Sequence, residues 1–328
     1  MSSRLAISAD DVRSAAKMIA GIAVRTPPLE YATLNEQAGR RVLVKFEGAQ
    51  HTGSFKFRGA YNRLARIQGA VRAAGVVAWS SGNHAQGVAA AAKLLSMPAT
   101  IVMPSDAPAI KKLNTMALGA EIVFYDRRTE SREELAAALA ARQGAILVPP
   151  FNDPLIIAGQ GTVGLEILEQ ASAANADLGQ VLVCCGGGGL TAGVATAIKA
   201  IHPSVDVYSV EPAAFDDTAR SLMSGQRETV SKDAASICDA LLSPSPGDMT
   251  FPINRALLSG GLAVTDEQVK AAMRFAFEKL KLVIEPGGAV ALAAVLHGLA
   301  PPTRLATAVV VSGGNVDPEF YASIITAR

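Results

Sequence analysis

Short apolar runs alternate with longer stretches of helical period along most of the chain. Val42-Leu43-Val44-Lys45-Phe46 reads as a strand, and 54–67 as a helix with Phe57, Leu64 and Ile67 roughly on one face. From residue 75 the rhythm is regular, predicting strands near 75–80, 99–103, 121–125 and 145–148 and helices near 83–96, 107–118 and 131–143. A helix over 154–171 leads to a second series, with strands at 180–184, 206–210 and 306–311 and helices at 190–201, 216–224, 266–280 and 287–298. Ser8 followed by Asp11 has capping-box spacing and opens an N-terminal helix that ends before Pro27. Residues 226–261 read as irregular, because Pro244, Pro246 and Pro252 exclude long helices.

This alternation predicts an α/β fold with mainly parallel sheets covered by helices on both faces. A chain of 328 residues fits two domains at about 100–200 residues each. The expected division is a small domain over 72–151, set between the two parts, 1–71 and 152–328, of a discontinuous large one. Ligands of such sheets bind beyond the carboxyl ends of the strands, so chemistry is sought at the strand-to-helix junctions.

Composition narrows the class of partner. The charge sum is 30 − 29 = +1, which gives no electrostatic basis for nucleic acid or an anionic membrane. Half the residues are hydrophobic and 18% charged, which excludes general disorder. Three cysteines without CxxC spacing and four scattered histidines make neither a disulfide framework nor a structural zinc site. The uncharged run 286–296 is too short to span a bilayer, and Asp10 and Asp11 interrupt any apolar leader. A cytoplasmic protein with a small-molecule substrate is expected.

Four junctions carry candidate chemistry. Gly53-Ser54-Phe55-Lys56-Phe57 places Lys56 in the first turn of a helix, where the dipole and a partly apolar setting both favour a neutral amine, as Schiff-base chemistry requires. A plain surface lysine is the alternative. Ser80-Ser81-Gly82-Asn83-His84 precedes a helix whose first amides could hold a carboxylate, with Ser81 able to carry a proton. Simple N-capping by Ser81 or Asn83 is the alternative. Gly186-Gly187-Gly188-Gly189 lets backbone amides converge on a phosphate. No GK[ST] follows it and no GxGxxG with a partner acid is present, so neither a Walker loop nor a dinucleotide fits. Ser312, in Ser312-Gly313-Gly314-Asn315, would present a hydroxyl at the end of the last strand. Together these supply a lysine, a phosphate cradle, a carboxylate cradle and a hydroxyl partner for a ring nitrogen.

The same residues, with GSFKFRGA (53–60), SSGNHAQG (80–87), ESRE (130–133), AGQGT (158–162), CGGGGL (185–190), VEP with DD (210–217), IEP (284–286) and SGGN (312–315), resemble the fold-type-II pyridoxal 5′-phosphate (PLP) enzymes, in the threonine/serine dehydratase and serine racemase branch. The resemblance runs nearly end to end and implies a homodimer. It implies that Lys56 bears the cofactor and takes the Cα proton, and that Phe55 packs beside the ring. Asn83 would bond the ring hydroxyl, Gly186, Gly187, Gly188 and Gly189 the phosphate, and Ser312 the pyridine nitrogen. Ser81, Gly82, Asn83 and His84 would line the substrate carboxylate site. A hydroxyl partner leaves the ring nitrogen largely neutral, a weaker electron sink that suits β-elimination. Racemisation needs an acid/base on the opposite face, the place of Ser81.

The resemblance also implies a divalent-cation site, for Mg²⁺, Mn²⁺ or Ca²⁺, made by Glu211, the carbonyl of Phe215 and Asp217; a solvated acidic helix start is the alternative reading. Arg132 and Ser243 match substrate-side positions, although Arg132 could equally pair with Glu133 or Glu134 on the surface. Cys238-Asp239-Ala240 stands where relatives often have Ala-Asp-Gly, so Ala240 narrows the space beside the cofactor. The implied function is a PLP-dependent ammonia-lyase acting on a β-hydroxy amino acid, L-threonine or L-serine by default. 3-Hydroxyaspartate dehydratase and serine racemase are the alternatives.

Overall fold

A computed structural model describes residues 5–80, 82–107, 109–126 and 128–327. Its strands are β1 (Pro28–Glu30), β2 (Val42–Phe46), β3 (Val76–Trp79), β4 (Ala99–Pro104), β5 (Glu121–Tyr125), β6 (Ile146–Val148), β7 (Leu178–Cys184), β8 (Asp206–Pro212), β9 (Gly260–Val264) and β10 (Ala306–Val311). They form a six-stranded sheet in the order β1-β2-β10-β7-β8-β9 and a four-stranded sheet in the order β5-β4-β3-β6. All pairings are parallel except β1 with β2. Strands β4, β7 and β10 are apolar and mostly buried along their length, as parallel strands covered on both faces must be.

Each sheet reverses direction once. The chain moves outward from β3 through β4 to β5, then returns to place β6 on the other side of β3. It likewise moves from β7 through β8 to β9 and returns with β10 between β7 and β2. Such reversals open a crevice at the carboxyl ends of the strands. The loops after β3, β7 and β10 are Ser80–Gly82, Cys185–Gly188 and the segment from Ser312.

Small residues let the helices between the sheets approach closely. Helix Pro154–Ala173 is capped by Asp153, which accepts from Leu155 N at 2.8 Å and Ile156 N at 3.1 Å. It packs on helices Lys56–Leu64 and Gly189–Ile201. A Cβ on Gly159 would stand 2.5 Å from Gly59 Cα, so the AGQGT segment can cross helix Lys56–Leu64 only as glycine. The predicted capping box of Ser8 and Asp11 is present on helix Ala9–Ile19.

Several elements depart from the sequence reading. The irregular segment 226–261 contains helix Thr250–Leu257 and the start of β9. Pro252 sits in the first turn of that helix, where no intrahelical N–H donation is required, so it does not break it. β9 is a half-exposed edge strand that begins with two glycines, which gives it no apolar alternation to read. Helix Ala32–Ala38, β1 and helix Pro318–Ile325 are also additions.

Beneath helix Lys56–Leu64 lies a buried ion network. Arg58, fully buried, donates to Glu47 from Nε at 2.8 Å and Nη2 at 2.9 Å, and to Glu166 from Nη1 at 2.6 Å. Lys45 donates to Glu166 at 2.5 Å and to Thr26 O at 2.6 Å. Two cations balance two carboxylates. Arg58→Met leaves Glu47 buried without its main partner, and we expect a loss of about 3–5 kcal/mol by denaturant unfolding. A loss under about 1 kcal/mol would show that Glu47 is not held charged by Arg58.

Candidate active site

The loops after β3, β7 and β10 line one cleft of about 230 Å³ between the two sheets. Among the predicted residues it brings together Phe55, Lys56, Gly82, Asn83, His84, Arg132, Gly186, Gly187, Gly188, Gly189, Ser243 and Ser312. Ser81 lies outside the described residues.

Lys56 begins helix Lys56–Leu64 and donates from Nζ to Pro150 O at 2.9 Å, with the Phe55 ring centroid 5.2 Å away. Loss of water around the ammonium lowers its pKa to about 8, against the opposing pull of Glu285. Roughly a tenth of such amines are therefore neutral and nucleophilic at pH 7. Neighbouring groups do not compete for this chemistry. Burial pushes the Cys184 thiol up to about 12. Burial, then the Lys56 charge, pushes His84 down to about 3, so its Nε2–H donates to Val148 O at 2.9 Å from a neutral ring.

The glycine run turns β7 into helix Gly189–Ile201, with Gly188 as the N-cap at φ +87°. At that left-handed angle a side chain is strained, and a Cβ would also stand 2.6 Å from Asn254 Nδ2. Helix Thr250–Leu257 braces the turn from behind. Thr250 Oγ1 donates to Gly187 O at 2.6 Å and Asn254 Nδ2 to Gly188 O at 3.4 Å. With these carbonyls held inside, the unpaired amides of the helix start remain for an anion, on the favourable end of the dipole. Thr250 and Asn254 were missed in the sequence, because nothing local links them to a loop some sixty residues earlier. Helix Asn83–Leu94 starts without a side-chain cap among the described residues, which leaves a second anion-binding end in the same cleft.

Arg132 heads helix Arg132–Gln143; its side chain is 44% exposed and donates to Glu133 at 2.8 Å, so it makes the surface pair while lining the cleft. Lys111, unpredicted, also lines the cleft and forms an ion pair with Asp239. Ala240 lines the wall beside the glycine run. Glu285, also unpredicted, is buried, and its carboxyl is raised to about 8, first by burial and then by Asp239.

Glu211, Phe215 and Asp217 lie apart from the cleft, where β8 leads into helix Asp217–Ser224. Glu211 accepts from Thr218 N at 3.0 Å and Ala219 N at 2.8 Å. Burial, then the Asp217 charge, raises Glu211 to about 8; burial raises Asp217 to about 7. Asp217 Oδ2 is buried without a hydrogen-bond partner. The solvated helix start is thus not what the chain builds, because both carboxylates are buried. Among the described residues no cluster of three or more His, Cys, Asp or Glu could hold a metal, so any site here needs a carbonyl as well.

An amine held partly neutral, facing a glycine cradle for a phosphate, defines a site for a phosphorylated aldehyde cofactor. The chain belongs to the family of pyridoxal-phosphate dependent enzymes, which matches residues 19–313. It is 44% identical over 315 residues to an L-threo-3-hydroxyaspartate ammonia-lyase of Pseudomonas sp, covering 96% of this chain and 97% of that one. It is 40% identical over 319 residues to the L-threonine ammonia-lyase of Thermotoga maritima, covering 97% and 78%. A maize serine racemase superposes with a TM-score of 0.91 at 37% identity, covering 97% of this chain and 96% of that one. The fold is the fold-type-II one that the sequence motifs implied, and PLP is the cofactor of the family. Among the described residues no helix is long and apolar enough to cross a membrane.

Since the lowered pKa belongs to an amine, the reactive neutral form lies above it. Uptake of PLP by the cofactor-free chain should therefore quicken about tenfold per pH unit below about 8 and level off above. Stopped-flow absorbance reads this rate, and Lys56→Met should show no uptake of a reducible adduct. A rate independent of pH across about 6 to 9 would contradict the assignment of Lys56.

Proposed function

We propose that the chain is a PLP-dependent ammonia-lyase for a β-hydroxy amino acid with a second carboxylate, converting L-threo-3-hydroxyaspartate to oxaloacetate and ammonia. The observation that carries the second carboxylate is the pair of cations, Lys111 and Arg132, in the wall of the cleft that holds Lys56, a wall to which Ser243 also belongs. The name of the Pseudomonas relative supports the same substrate. L-Threonine or L-serine is the second reading, favoured because both cations already have carboxylate partners, Asp239 and Glu133.

Bound at Lys56, PLP supplies the electron sink that stabilises negative charge at the substrate Cα. The first amides of helix Gly189–Ile201 would hold its phosphate, and Ser312, buried just after β10, would supply the hydroxyl for its ring nitrogen. The start of helix Asn83–Leu94 takes the substrate α-carboxylate. Lys56 would take the Cα proton as the β-hydroxyl leaves with one proton as water, so that Cα–H and Cβ–OH are lost together; the enamine released would tautomerise and be hydrolysed by water to the 2-oxo acid and ammonia. Racemisation would need Ser81 to act on the opposite face.

The test is product identification from L-threo-3-hydroxyaspartate, L-threonine and L-serine, with chiral analysis of the serine. We expect the highest kcat/KM on hydroxyaspartate. Arg132→Ala should lower that value at least about tenfold more than it lowers the value for L-serine, a difference of ~1.4 kcal/mol. Faster turnover of L-threonine or L-serine would sink the dicarboxylate reading, and no turnover of any of the three would sink the lyase.

Glu211, Phe215 and Asp217 suit a hard divalent cation, because two buried carboxylates with one unpartnered oxygen gain most from a positive charge between them. Its role would be structural, since these residues do not line the cleft. Chelation should lower the thermal midpoint and Mg²⁺, Mn²⁺ or Ca²⁺ restore it; saturation at about a hundred times Kd gives ~3 kcal/mol. An unchanged midpoint would remove the site. A homodimer is supported by the resemblance, and a cytoplasmic setting by three buried free cysteines.

A further inference from the structure

Four motifs meet in one chain of side-chain amides beside Lys56. Asn315 Nδ2 donates both to Thr52 O, at 2.7 Å, and to Asn83 Oδ1, at 2.7 Å. Asn83 Nδ2 donates to Glu285 Oε1 at 2.6 Å. The Thr52 carbonyl is aimed by a turn in which Thr52, at φ +60°, and Gly53, at φ +71°, are consecutively left-handed. A Cβ on Gly53 would stand 2.6 Å from Asn315 Oδ1, so the turn closes on Asn315 only with glycine there. Backbone bonds clasp the same two segments: Phe55 N donates to Ser312 O at 3.1 Å and Gly314 N to Gly53 O at 3.0 Å.

The two ends of an amide look alike in shape, so its orientation must come from its partners. Here the order is fixed from one end. A main-chain carbonyl can only accept, so the atom of Asn315 that meets Thr52 O is nitrogen. That nitrogen then requires oxygen from Asn83, and Asn83 must turn its own nitrogen toward Glu285. An amide nitrogen carries two hydrogens, and among the described residues only one of those on Asn83 is committed.

We propose that Asn315 is a positioning residue which, anchored on the Thr52 carbonyl, fixes the Asn83 amide so that one N–H is kept for the ring oxygen of the cofactor. The proposal rests on PLP standing at Lys56, as above. It gives the IEP and SGGN segments a shared task at the ring oxygen, distinct from that of Ser312 at the ring nitrogen. A donor at the ring oxygen favours the form in which that oxygen is unprotonated. An acceptor there requires the oxygen to carry a proton, and the two forms absorb at different wavelengths.

Asn315→Asp replaces the donor with an acceptor facing both Thr52 O and Asn83 Oδ1, which drives the Asn83 amide to turn over. Asn315→Leu removes the donor without the repulsion. At equal cofactor content, the absorption of the loaded Asn315→Asp chain should shift from the longer- to the shorter-wavelength form, and that of Asn315→Leu should shift less. An unshifted Asn315→Asp spectrum, or equal shifts in both variants, overturns the proposal, the latter because it reports packing alone. If Asn315→Asp does not fold, Glu285→Gln decides. It keeps an acceptor for Asn83 and leaves the Thr52 anchor intact, so its spectrum should match the parent; a shifted one would assign the orientation to Glu285 and overturn the role of Asn315. A parent chain that takes up no PLP is a separate result that removes the cofactor placement itself.

Discussion

A guanidinium without water sets the geometry on which the cleft depends. Arg58 joins the end of β2, through Glu47, to helix Pro154–Ala173, through Glu166. It sits two residues beyond Lys56 on the same helix. Buried ion pairs add little net stability over apolar packing, but a buried charge displaced from its partner is expensive. The network therefore acts less as glue than as a register. Helix Lys56–Leu64 has one position in which four charges are all satisfied, and the Lys56 amine inherits that position.

Above this charged floor, the cleft itself is kept nearly neutral. Three lysines of one chain show how environment divides the work. Lys45 is enclosed by Glu166 and Gln170, Lys111 is paired with Asp239, and Lys56 meets chiefly a carbonyl and an aromatic face. Only the last donates to no carboxylate, and burial brings its pKa down to about 8. Cys184 stays a thiol, His84 stays neutral, and Glu285 is drawn toward its protonated form. Negative charge is then expected from the ligands, the phosphate and the carboxylates. It is met by two helix starts whose dipoles are already oriented and need no rearrangement.

What could be read in the sequence was what lies in one junction. The lysine segment, the glycine run, the loop through Asn83 and Ser312 each carry their chemistry within a few residues, next to an apolar run that ends in a helix. Parallel strands made the alternation plain. What could not be read depends on distant contacts. Thr250 and Asn254 brace glycines far upstream, Lys111 meets Asp239 across the cleft, and Asn315 reaches back to Thr52 and Asn83. None of these leaves a local pattern. The short edge strand β9 and helix Thr250–Leu257 were hidden for another reason: glycines and a proline are poor signals of strand or helix, and only packing against β8 and helix Gly189–Ile201 forms them.

The placement of groups across the cleft separates two tasks. The glycine cradle and Ser312 belong to loops of the six-stranded sheet, whereas Gly82, Asn83, Lys111 and Arg132 belong to elements of the four-stranded one. Two links cross that boundary, Lys111 with Asp239 and Asn83 with Glu285 and Asn315. The first is exposed on its acidic side, so water and salt weaken it, and it can open at small cost. The second is buried where Asn83 meets Glu285 and is made of short hydrogen bonds, so it costs more to break. Of the two links between the sheets, the one at Asn83 is thus the firmer and the one at Lys111 the weaker.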